Sequence, residues 1–134
     1  MFLKKIALLG AAIGIITLPL TANAATLITN NDTDEVSAVK ITNSSGHLCS
    51  GYFPGGATPP HQTNSTAWSI VTFLCGGSGS VCTADIYATK DCSGAVIASA
   101  SLDLQNPNVT ITQIYNPRYA VSGSGTTVTI GYAQ

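Results

Sequence analysis

Hydrophobic and polar positions alternate along much of the second half of the chain. Cys82, Ala84, Ile86 and Ala88 fall on one side of an extended segment, and Thr83, Asp85, Tyr87 and Thr89 on the other. Val96, Ala98, Ala100, Leu102 and Leu104 oppose Ser99, Ser101 and Asp103; Val128, Ile130 and Tyr132 oppose Thr127, Thr129 and Gly131. Successive side chains of a strand point to opposite faces, so the pattern predicts strands with one face on a core and one in water. Turn-forming residues divide the chain into predicted strands at Thr26–Thr29, Val36–Thr42, Thr66–Cys75, Val81–Thr89, Ala95–Leu104, Val109–Tyr115, Tyr119–Ser122 and Thr126–Tyr132, with a short piece around His47–Phe53. Pro54–Asn64, with three prolines, reads as an irregular loop, and Gly76–Ser80 as a turn. No segment after Ala24 shows a helical period. The expectation is an all-β fold: a small antiparallel β-sandwich or barrel-like domain of about seven to nine short strands.

The first residues follow a different pattern. Lys4 and Lys5 precede the apolar run Ile6–Leu18, Pro19 breaks it, and Ala22-Asn23-Ala24 supplies a small-x-small cleavage pattern. This is the layout of a secretory signal peptide over residues 1–24, with residues 25–134 as the single mature domain. The run is shorter than the roughly 20 residues a membrane crossing takes, and no later segment is apolar enough to span. The expected location is outside the inner membrane, periplasmic or extracellular.

Charge then narrows the partners. Charged residues make up 8% of the chain, against about 25% in an average domain. Past Ala24 only Lys40, Lys90 and Arg118 remain as bases against six acids. Three cations build no basic patch, which excludes nucleic acid and anionic membrane surfaces as expected partners.

An exported chain should oxidise Cys49, Cys75, Cys82 and Cys92. Strand geometry selects the pairing. A strand over Cys82–Thr89 spans roughly 23 Å at about 3.3 Å per residue. The next three residues recover at most about 10 Å, leaving Cys92 beyond the roughly 7 Å Cα separation a disulfide tolerates. Cys75 sits at the same end of its hairpin as Cys82, so Cys75–Cys92 fails too. Cys75–Cys82 and Cys49–Cys92 are the preferred pairs, and the absence of CxxC spacing argues against zinc or redox use.

Candidate chemistry is sparse. His47 and His61 lie in expected loops with no placed nucleophile beside them. Asp32, Asp34 and Glu35 lack the central glycine and distal glutamate of an EF-hand and read as a polar turn. Nothing brings Asp85 and Asp103 into one cleft as a hydrolytic carboxylate pair. No catalytic residue, metal ligand or cofactor is assigned. Trp68 and Phe73 are expected in the core. Tyr87, and one or more of Tyr115 and Tyr119, are expected to point outward, and with Tyr52 in a loop they form the candidate recognition surface for a protein or glycan.

The segments CTADIYATKDCSG (82–94) and YAVSGSG (119–125) resemble small exported four-cysteine proteins of Legionellales-type intracellular bacteria. That resemblance implies export, a β-rich fold and a host-facing role, and carries over no catalytic residue. The alternating end of the chain, Thr126–Gln134 with Tyr132, is similar to the last strand of chaperone–usher fimbrial subunits. The preferred reading is a secreted, non-enzymatic binding or interaction module. A fimbrial-type subunit and a small hydrolase using His47 or His61 are the alternatives.

Overall fold

The computed structural model describes residues 25–42, 48–76 and 79–134. The expected signal peptide and His47 lie outside the described residues. Eight strands and one α-helix are described: β1 Thr26–Asn31, β2 Ala38–Ile41, β3 Gln62–Ala67, α1 Trp68–Leu74, β4 Val81–Tyr87, β5 Ala98–Asp103, β6 Asn108–Ile114, β7 Tyr119–Ser124 and β8 Thr127–Tyr132. They form two four-stranded sheets, in the orders β3-β1-β8-β7 and β2-β4-β5-β6. Among the described residues no helix is long and apolar enough to cross a membrane.

The alternation read from the sequence sets the inward faces. Cys82, Ala84 and Ile86 of β4, Ala98, Ala100 and Leu102 of β5, and Val128 and Ile130 of β8 are all buried in one core. Seven of the expected strand regions contain strands. Gly125, with φ +58°, makes the tight turn that joins β7 to β8, a backbone region that a residue without Cβ enters freely. The pairing is antiparallel except at β1 and β8, which run parallel side by side. The first and last strands therefore close on each other inside the chain.

Thr66–Cys75 corrects the sequence reading. Strand β3 starts earlier, within the expected loop, and ends at Ala67, and Trp68–Leu74 is helical. Trp68, Val71 and Cys75 are the buried positions, and their spacing of three and four residues places them on one helix face. The same geometry turns Phe73 outward, 81% exposed, rather than into the core. The Trp68 indole Nε1–H donates to the Leu104 carbonyl at 3.3 Å and the Trp68 backbone N–H to Ala25 at 2.9 Å, fixing α1 to both sheets.

The disulfides are Cys75–Cys82 and Cys49–Cys92. The first joins the end of α1, not a strand, to the start of β4. The second holds the 48–53 segment, which contains a short 3₁₀ turn over Ser50–Tyr52, against the turn after β4. Around it gathers a second small core of Ala38, Cys49, Tyr87 and Cys92.

Candidate functional site

The two lateral seams of the sandwich are built differently. At one, β6 and β7 meet: the Val109 N–H donates to the Gly125 carbonyl at 2.8 Å. A Cβ on Gly123 would stand 2.9 Å from the Val109 carbonyl oxygen, so only glycine lets the backbones come this close. At the other, β2 and β3 are the ends of different sheets. Helix α1 and the 48–58 segment span the gap, with isolated bridges Ser37–Thr58 and Lys40–Cys49 holding that segment along β2.

Beneath this span lies a cleft of about 500 Å³, within the roughly 300–1,000 Å³ typical of small-molecule sites. Its floor includes Ala84, Ile86, Ala100 and Leu102 from one sheet and Val128 and Ile130 from the other. The alanines explain the space. Two facing sheets stand about 10 Å apart, and Ala84 and Ala100 put single methyl groups where larger side chains would fill the gap. Leu48, Phe53, Ile70 and Phe73 also line the cleft, and all four are among the exposed large hydrophobic residues. Apolar side chains left in water around a concavity are a common feature of binding surfaces.

The cleft's polar side chains are uncharged: Thr29, Ser37, Ser50, Thr58, Asn64, Ser65 and Thr66 are among its lining. None of its described lining residues carries a charged or imidazole side chain. Ser50 Oγ accepts from the Val39 N–H at 2.9 Å, and Asn64 Nδ2 donates to the Gly55 and Ala57 carbonyls. Ser37 is 3% exposed, and its Oγ is the buried side-chain polar atom without a hydrogen-bond partner among the described residues. A buried hydroxyl left unpaired costs about 1–3 kcal/mol. None of the lining residues entered the sequence reading as a site residue, and Phe73 entered it as core. The available signal was the helical spacing of Trp68, Val71 and Cys75, which exposes Ile70 and Phe73.

The four candidate tyrosines do not share a surface. Tyr52 is exposed and borders a shallow hollow with Lys90 on the outer side of the 48–58 segment. Tyr115 is exposed beside Ser99, with its phenolic oxygen 3.2 Å from the Ser99 hydroxyl oxygen. Tyr87 lies on the outer face of β4, as the alternation requires, yet it is buried, because the Cys49–Cys92 segment folds over that face. Tyr119 is buried as well. Its hydroxyl donates to Glu35, and Arg118 lies 5.4 Å from its ring and 5.1 Å from that of Tyr132. Burial, reinforced by Glu35, pushes the Tyr119 pKa up to about 12. The acidic turn is tied down by separate partners: Tyr132 Oη accepts from the Asp34 N–H at 3.0 Å, and the His61 ring faces the Asp34 carboxylate at 2.6 Å with both groups exposed. Asp85 accepts from the Ser99 hydroxyl at 2.7 Å.

A family model described as T2SS substrate NttC matches residues 1–131. The chain belongs to the NttC family of type II secretion substrates. The crystal structure of the Legionella pneumophila type II secretion system substrate NttC has the same fold, with a TM-score of 0.61 at 24% identity, over 81% of this chain and 98% of that one. No curated protein matches the chain. NttC membership makes this a secreted protein, in keeping with its two disulfides.

Proposed function

We propose that this secreted NttC-family protein is a non-enzymatic binding protein that receives an apolar ligand in the cleft between β2 and β3. The observation that carries the reading is the rim: Leu48, Phe53, Ile70 and Phe73 are held in water around an opening that leads to the core. The lining supports a binding role over a hydrolytic one, because it offers no carboxylate or imidazole to move a proton. The pairing of β8 with β1 on one side and β7 on the other supports a self-contained molecule over a fibre subunit, whose assembly requires a strand supplied from outside.

The test is a titration of the protein, purified from culture medium, with the neutral apolar dye N-phenyl-1-naphthylamine. Saturable fluorescence enhancement is expected. Phe73→Ser should weaken it at least fivefold while changing stability by less than about 0.5 kcal/mol, as for other exposed positions. Absence of saturable binding to the wild-type protein would overturn the reading.

A further inference from the structure

We infer that the hollow beside Tyr52 is a second binding site, for a sugar ring carrying a single negative charge, such as a uronic acid. It lies on the outer side of the 48–58 segment, divided from the cleft by Phe53–Gly55, which line both. The inference does not rest on the cleft being a binding site.

Three observations lead there. The first is an aromatic face held in water. Tyr52 is 69% exposed and borders a hollow of about 600 Å³, with Phe53 and Pro54 beside it. The weakly positive C–H face of a pyranose suits the negative face of such a ring. The second is a placed cation. A Cβ on Gly51 would stand 1.6 Å from the Lys90 carbonyl oxygen, so the turn that carries Tyr52 lies directly on the loop that carries Lys90. Cys49–Cys92 ties the two together. Lys90 is the cation among the described lining residues, none of which carries a carboxylate. The other two cations past Ala24 are engaged, Lys40 over the Tyr87 ring and Arg118 over those of Tyr119 and Tyr132. One ammonium matches one negative charge, and a doubly charged phosphate would leave an excess. The third is hydrogen-bonding capacity on the opposite wall. Gln62 is exposed, and its amide both donates and accepts. The bond from the Trp68 N–H to Ala25 sets the phase of the β1–β3 ladder, which directs the Thr63 N–H and C=O to the outer edge of β3. Ring hydroxyls need donors and acceptors together, and this wall offers both.

The experiment titrates the isotope-labelled secreted protein with methyl glucuronide and, separately, with methyl glucoside at about pH 7, where a carboxylate is ionised, and follows backbone amide chemical shifts. The two compounds differ only at the carbon that bears the carboxylate. Saturable shifts at Tyr52, Thr63 and Lys90 are expected with both, the glucuronide binding roughly threefold to fivefold more tightly, the size of one exposed ion pair. Lys90→Gln should remove that preference and leave the glucoside affinity within twofold of wild type. Tyr52→Ala should weaken both compounds by about fivefold or more, the size of a lost stacking contact, and Tyr52→Phe should keep them. Phe73→Ser, on the cleft rim, should change neither. Absence of saturable shifts, equal affinity for the two compounds, or a Tyr52→Ala protein with unchanged affinity would overturn this inference and leave the cleft reading as it stands. Sugar binding by a protein that fails to bind the dye would support the inference and remove the cleft reading alone.

Discussion

The closed seam and the open seam of this sandwich use the same two sheets to opposite ends. At β6 and β7 a glycine removes the side chain that would hold the backbones apart, and the Val109–Gly125 hydrogen bond joins the sheets. At β2 and β3 the small residues sit inside rather than at the edge. Ala84 and Ala100 leave volume between the sheets, and the gap is roofed by a helix and a disulfide-anchored segment. A missing Cβ at an edge lets a sandwich close, whereas missing bulk in its middle opens a cleft. Location decides which.

The strongest way to break the contrast is to release the roof. Replacing Cys49 and Cys92 with serine removes a cross-link spanning 43 residues, worth about 4 kcal/mol in the loop-entropy model. Denaturant unfolding should show a loss of that order, with dye binding lost before the fold. A loss no greater than that from opening Cys75–Cys82, about 2.5 kcal/mol by the same model, would mean the roof is held by other contacts. At the closed seam, Gly123→Val should destabilise by up to about 3 kcal/mol through overpacking against the Val109 carbonyl without affecting the dye. An unchanged Tm would show that the seam has slack.

Beside the closed seam, Tyr119 adds a pH signature. Its pKa is raised to about 12, chiefly by burial, while an unfolded tyrosine titrates near pH 10. The neutral form is favoured by the fold, so this stability is fully present below about pH 10 and is lost as pH rises through about 12. The loss should be on the order of 2 kcal/mol, and Tyr119→Phe should flatten alkaline unfolding over that window. A Tyr119→Phe profile that matches wild type would place the alkaline sensitivity elsewhere. The smallest effect is expected in the open cleft. Ala100→Val adds methyl groups to vacant space, so stability should hold or rise by up to about 1 kcal/mol while dye affinity falls. A destabilisation equal to that of Gly123→Val would erase the distinction between the seams.

What the sequence determined by itself is what local geometry controls. The alternation around Cys82–Ile86 and Ala98–Leu102 assigns inner and outer faces, because adjacent strand residues must point opposite ways; it fails at Val96, which packs on the second small core while Ile97 enters the main one, because the regular strand begins only at Ala98. Extended-chain lengths selected the disulfide pairs, even though Cys75 follows a helix rather than a strand. Tertiary structure decided the rest. Trp68–Leu74 became a helix because its buried positions dock between the ends of two sheets, and a run this short is apolar enough to read either way. Tyr87 is on the outer face and still buried, because a segment about forty residues earlier in the chain is tethered over it. Ser37 and the alanines of β4 and β5 are ordinary strand residues in sequence. They become the lining of a cleft only when two sheets face each other across it, since empty volume belongs to no single segment.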